Sequence, residues 1–291
     1  MHPIFLLEKS ELKMIELSLS GLPIEWNPDK KRLVFAPALE DVDPVIRRLG
    51  EMQDVLYRKG GSRPENTDPR RELYYMYRDV HLREHKNLLR ERGIRYDITI
   101  IVPGTIGEEY VKTAGHYHPV KPGTEFTYPE VYEVLHGRAH YLFQRPHNPA
   151  EPGKGIDEVI VVAADPGDKV LIPSGFGHIT VNPGDDYLIM SNLVADNFAS
   201  IYDPLQEMGG GGYCQLVSPG EEDDLLFVHN PSYLSCPPLY YAEPVELPGF
   251  SLLKEIPQYR AFIEHPQDFT FLTHPENFQE EFNAYLETLK K

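Results

Sequence analysis

Cysteine is scarce: Cys214 and Cys236 are the two in 291 residues. That is too few for the disulfide framework that holds small secreted domains together. Basic charge is scarce as well, with 28 Lys and Arg against 45 Asp and Glu and a net charge of −17. A nucleic-acid partner would need a basic face, so that class is set aside. The same imbalance means that an anionic ligand must be met by local donors, because the field of the whole chain repels it. Long apolar runs are missing too. None approaches the ~20 residues that cross a bilayer, and Ile4 to Leu7 is too short for a secretory signal. The expectation is a cytoplasmic protein with no membrane association and no internal repeat.

What is present is a sizeable apolar fraction, 41%, cut into short runs by 27 prolines and 22 glycines. Strand-length segments at this density predict an antiparallel sandwich or barrel. Ile94 to Val102 alternates and then turns continuously apolar, as a buried strand does. Glu158 to Val162, Val170 to Ile172, Ile179 to Val181 and Tyr187 to Leu193 follow, then a hairpin of Tyr213 to Val217 with Leu225 to His229. Glu72 to Val80 carries Tyr74, Tyr75 and Tyr77, strand formers whose hydroxyls could line a polar cavity. Upstream, Asp43-Pro44 reads as an N-cap with proline in the first turn. Val45, Leu49, Met52 and Leu56 then recur at helical spacing until Gly60-Gly61, which predicts a helix. His81 to Arg92 reads as a charged surface helix or long turn. After Tyr233 the chain becomes Pro-rich coil, and a last helix over Asn277 to Lys290 places Phe278, Phe282, Tyr285 and Leu289 on one stripe. So short a helix is marginal alone, so the stripe must dock on the barrel or on a partner subunit. The expected division is an N-terminal arm with one helix and an edge strand (1–90), a barrel (91–233) and an extension (234–291).

The densest chemistry lies between Gly115 and Gly137. His116 and His118 are two apart, so a strand points both to one face, a natural pair of metal ligands. Glu130 opens a strand-like run that could fold back on them, with Glu125 in the intervening loop as the alternative carboxylate. A third stretch, Gly167 to His178, offers another imidazole. Such an N/O set suits iron, manganese, zinc, nickel or cobalt. The bland alternative is surface histidines, of which the chain has 12.

Spacing favours the site. Gly167, Pro173, Gly175, His178 and Asn182 resemble the second cupin motif at every interval. His116, His118, Glu130 and Gly137 resemble the first, with a longer loop before Glu130. Beyond these, Arg47 to Met52, Pro103 to Gly107, Tyr110 to His118, Glu130-Val131-Tyr132 and Asn230-Pro231 resemble the cupin-type phosphoglucose isomerases, over about residues 40–233. The resemblance implies an all-β cupin fold, a double-stranded β-helix closed as a jelly-roll barrel. It implies one divalent metal ion per subunit on His116, His118, Glu130 and His178, with Fe2+ first and Zn2+, Mn2+, Ni2+ or Co2+ as alternatives. It further implies a homodimer that interconverts glucose 6-phosphate and fructose 6-phosphate. The family's substrate contacts fall on Thr99, Thr113 and Gly115, with Tyr74 and Tyr132 lining the pocket and Tyr202 beyond. The segment after Tyr233 has no counterpart in short members.

The residue chemistry is compatible. Aldose–ketose isomerisation moves a proton between C2 and C1 and needs a base and a counter to developing negative charge. Glu130 is the natural base, with Tyr132 or a bound water able to share the role. A hydride shift is the alternative path. Threonine hydroxyls and a glycine N–H could hold phosphate by neutral hydrogen bonds. Two rival classes use the same residues: a cupin dioxygenase with the same ligands, and a non-catalytic sugar-binding cupin.

Overall fold

The structure, a computed structural model, describes residues 13–58, 68–153, 155–218 and 226–290. Ile4 to Leu7, Gly60-Gly61 and Leu225 lie outside them. Ten strands bear on the site: β1 (Val45–Arg48), β2 (Glu72–Tyr77), β3 (Ile94–Ile101), β4 (Glu130–His136), β5 (Ala139–Pro146), β6 (Ile156–Ala164), β7 (Lys169–Ile172), β8 (Gly177–Val181), β9 (Leu188–Ala195) and β10 (Leu239–Ala242). The order β7-β4-β9-β3-β2-β1 makes a six-stranded antiparallel sheet. A second sheet runs β8-β5-β6-β10, with β10 joining β6 in parallel. The two face each other. Tyr132 on β4 meets Tyr141 on β5 with ring centroids 5.2 Å apart, and the Tyr141 hydroxyl donates to Met190 Sδ on β9 at 3.5 Å. This is an all-β jelly-roll barrel of the cupin type, and its inner face holds the polar cavity described below.

The six-stranded sheet is covered on its outer face too, which is why β3 and β9 are buried almost throughout, their polar residues included. A small N-terminal sheet (Ile15–Glu16, Ile24–Asn27, Arg32–Phe35) supplies part of the cover. Its Trp26 packs 5.4 Å from the Tyr75 ring and 5.5 Å from Tyr187. Helix α1 (Lys86–Arg92) ends at Gly93 and leads into β3. The C-terminal segment supplies the rest through α2 (Gln258–Glu264) and α3 (Gln279–Leu289). Tyr259 packs edge-on against Tyr96 of β3 at 5.0 Å.

Two expectations are corrected. The helix over Asp43 to Leu56 is instead strand β1 followed by a 3-10 turn, Leu49–Met52. The apolar spacing is real, since Leu49, Met52 and Leu56 are buried. However, Val45 to Arg48 pair with β2, and those ladder bonds override the local helical signal. The Pro-rich coil after Tyr233 is also more ordered than its composition suggests: it contributes β10, α2 and a 3-10 run, Pro266–Leu272. The C-terminal stripe docks within its own chain. Phe282, Tyr285 and Leu289 are buried, and Phe278 and Phe282 meet Phe250 and Phe271.

Candidate metal centre

Three backbone segments converge on the inner face. His116 and His178 form an antiparallel bridge, each N–H donating to the other's carbonyl at 3.1 and 3.0 Å. That bridge needs Gly115, whose φ is +73°. A Cβ there would lie 2.4 Å from Ile179 Cγ1 and 3.0 Å from the His178 carbonyl. Gly137 makes the turn by which the chain leaves β4 for β5 in the other sheet, at φ +78°, where a Cβ would sit 2.5 Å from the Tyr187 carbonyl. Both glycines of the sequence pattern are thus required by close backbone approach.

His116, His118, Glu130 and His178 each present a ligand atom, all within 4.8 Å of one another. His116 Nε2 and His118 Nε2 are 3.1 Å apart. Glu130 Oε2 lies 3.2 Å from His178 Nε2, 3.4 Å from His118 Nε2 and 4.0 Å from His116 Nε2. Donors around a single ion at ~2.1 Å are separated by roughly 3.0–3.4 Å, so most of these distances fit one shared ion. Glu125 is exposed and outside the group.

The electrostatics fit as well. Glu130 Oε2 is buried and has no hydrogen-bond partner, an orphan that an ion would satisfy. Burial, then the neighbouring imidazoles, push His116 well below its usual range and His118 down to about 4. Both rings are therefore neutral, the form that binds a metal. His118 Nδ1 lies 2.8 Å from the Tyr128 carbonyl, which places its proton there and leaves Nε2 bare. Burial alone would raise Glu130, but His178, His118 and Arg78 outweigh it and hold the carboxylate below its usual range. Its Oε1 accepts from Asn192 Nδ2 at 2.5 Å. The four residues are placed so that together they could hold one metal ion.

The cavity beside this group is lined by Tyr74, Thr99, Thr113, Gly115, Tyr132 and Tyr202, all six anticipated from sequence. Of the three tyrosines on β2, Tyr74 alone lines it. The Tyr75 hydroxyl bonds Glu72 and the Tyr77 oxygen accepts from Leu33 N–H, both away from the cavity. Tyr74 is raised by burial, against the pull of Arg47. Arg47 also stands 5.7 Å over the Tyr202 ring, and its Nε is buried without a hydrogen-bond partner. Tyr132, 2.9 Å from His178 Nε2, is pushed well above its ordinary value by burial and then by Glu130, so it stays protonated.

Sequence reasoning missed Arg78, Arg95, Asn192, Phe198 and Ser200, which also line the cavity. Alternation places Arg95 on the same face of β3 as Thr99, which was a usable signal. The basic run His81 to Arg92 was read as surface, and for Arg83 and Lys86, which pair with Glu40, that reading holds.

The family model described as glucose-6-phosphate isomerase (GPI) matches residues 51–226. A glucose-6-phosphate isomerase of Pyrococcus abyssi is 29% identical over 146 residues, 50% of this chain and 68% of that protein. One from Pyrococcus horikoshii is 25% identical over 197 residues, 67% of this chain and 90% of that protein. Among solved structures, an oxalate decarboxylase variant of Bacillus subtilis is 18% identical, with a TM-score of 0.31 over 45% of this chain and 28% of that one.

Proposed function

The chain belongs to the glucose-6-phosphate isomerase family, and from that premise we propose that it interconverts glucose 6-phosphate and fructose 6-phosphate at the His116–His118–Glu130–His178 centre. One observation carries the reading. The three imidazoles and the orphaned Glu130 oxygen converge in a cavity lined by hydroxyls, inside the segment matched by the family model. We take the ion as Fe2+, the assembly as a homodimer and the compartment as the cytoplasm. A divalent ion held there would act as a Lewis acid toward the sugar's C1–C2 oxygens.

The chain's own residues do the rest. Tyr74, Thr99, Thr113, Gly115 and Tyr202 form the phosphate end, with Arg47 behind the two phenols supplying positive charge. That departs from the purely neutral cradle expected from sequence. Glu130 carries the proton between C1 and C2, with the Asn192 amide fixing its orientation. Tyr132, kept protonated by burial, donates a hydrogen bond to a sugar oxygen rather than acting as base. Phe198, stacked on Tyr128 at 4.7 Å and against His118 at 4.6 Å, keeps water from that side of the imidazoles.

A coupled assay run in an oxygen electrode tests this. The isomerase converts fructose 6-phosphate without consuming oxygen. Oxygen uptake would point to a dioxygenase, and inertness in both readouts to a sugar-binding module.

A further inference from the structure

Asp97 on β3 is fully buried and holds two guanidiniums. Arg95 Nε donates to both its oxygens at 2.9 Å, and Arg78 Nη1 donates to Oδ2 at 2.5 Å. The Asp79 N–H completes the carboxylate at 2.9 Å. Asp79 does so from a left-handed backbone, φ 59°, a conformation uncommon outside glycine. One guanidinium would neutralise Asp97. Two leave the Asp97 cluster itself with a net positive charge, on a cavity wall that it shares with the Glu130 carboxylate. Arg95 directs Nε to Asp97, and among the described residues its Nη groups carry no hydrogen bond to the protein. Both arginines remain partly open, 39% for Arg78 and 26% for Arg95.

Register fixes where this charge lies. Arg95 on β3 and Glu130 on β4 flank the same residue of β9, Val194. Asp97 and Tyr132 likewise flank Asn192. The arginines therefore share the level of Glu130 and Tyr132. Tyr74, at the phosphate end, is four residues from Arg78, which lies just past the end of β2, about 13 Å of extended chain at most. The cavity thus has cation-backed donors at both ends and the metal ligands beside one of them.

We infer that Arg78 and Arg95, presented by Asp97, form a second anion subsite that accepts a second phosphate on a sugar phosphate. This rests on the proposed sugar-phosphate reading and deepens it. A hexose phosphorylated at both ends spans the cavity with its second phosphate on the arginines. With O1 esterified it cannot isomerise, so it occupies the site as a competitive regulator.

The test uses open-chain hexitol phosphates, which cannot react, with affinities measured on the metal-loaded protein. The 1,6-bisphosphate binds at least about tenfold more tightly than the 6-phosphate. In Arg95→Gln that advantage falls to within about twofold, while 6-phosphate affinity stays near that of the unaltered protein. Arg95→Lys keeps Asp97 paired should the first variant fold poorly, and it shows a partial loss. Equal affinities for the two hexitols in the unaltered protein overturn the inference. So does an equal loss of both in Arg95→Gln, which would mean that the arginines hold the single phosphate. If the bisphosphate binds but the chain neither binds the 6-phosphate nor turns over fructose 6-phosphate, the isomerase reading fails and the subsite stands.

Discussion

Glu130 and Glu133 are three residues apart on β4, both buried, and face opposite sides of the sheet. Glu133 looks outward to Lys169 Nζ, 2.9 Å away, and accepts the Gln258 N–H at 2.8 Å. The Gln258 amide continues to Ser191 Oγ at 2.8 Å. This cluster ties the C-terminal cover to the back of the strands that carry Glu130, Tyr132 and Asn192. Glu130 looks inward to imidazoles, of which burial keeps His116 and His118 neutral. The outer carboxylate has a full cation from its own chain, so its charge is spent on structure. The inner one has no lysine or arginine in direct contact, and its spare oxygen remains available to an ion. One strand thus separates a carboxylate paired with a lysine of its own chain from one that faces imidazoles and is proposed to do the chemistry.

The comparison breaks most completely if the outer cover is removed. Deleting residues 234–291 exposes the outer face of the sheet and removes Tyr259, Phe262, Phe269, Phe271 and Phe282, all buried. At about 1.5–3 kcal/mol per large side chain, the loss is comparable to a whole domain's stability. The expected outcome is failure to fold, read by circular dichroism, although no proposed ligand lies beyond His178. A truncated chain with an unchanged melting temperature would contradict the docking seen here.

Lys169→Met attacks the outer cluster alone. It strands Glu133 in the interior, at a cost of about 3–5 kcal/mol. Urea unfolding should show that loss, with metal content in the folded fraction unchanged. Thr99→Val and Thr113→Val attack the inner side. Each removes about 1.5–3 kcal/mol of hydrogen bonding to a charged group, or roughly tenfold or more in KM for fructose 6-phosphate, with the metal retained. An unchanged KM in both would move the phosphate away from these residues.

The smallest effect concerns pH. Burial raises Glu133 to about 7, against the pull of Lys169. A carboxyl whose folded value exceeds its unfolded one contributes stability that is present at low pH and lost as pH rises through the folded value. The loss therefore falls between about pH 4.5 and 7 and is on the order of 1–3 kcal/mol. Glu133→Gln should flatten that part of the profile relative to the unaltered chain. Equal slopes in the two proteins would deny Glu133 this titration.

The same contrast shows what could be read in advance. His116, His118, Glu130 and His178 were legible because their spacing is enforced by backbone geometry, with Gly115 and Gly137 marking the close approaches. The strand at Val45 was misread because helical spacing of Leu49, Met52 and Leu56 is a local signal, whereas its pairing with β2 is not. Arg95 and Asp97 were overlooked although alternation puts them on the Thr99 face of β3, because the strand was read only for its burial and not for what its polar face lines. The docking of Phe278 to Leu289 was foreseen, on the barrel or on a partner subunit, but the share of that surface supplied by Phe250 and Phe271 of the extension itself was not, because the Pro-rich composition hid the order of that segment.

The central claim, that the inner cluster is a metal-dependent isomerase centre, is tested most directly by stripping the protein with a chelator and following fructose 6-phosphate turnover as one equivalent of divalent metal is returned. The account predicts that turnover falls to background on stripping and recovers with the metal, while His118→Ala and His178→Ala bind little metal and recover nothing. Full turnover by the stripped protein, or full metal content and activity in both variants, would contradict it.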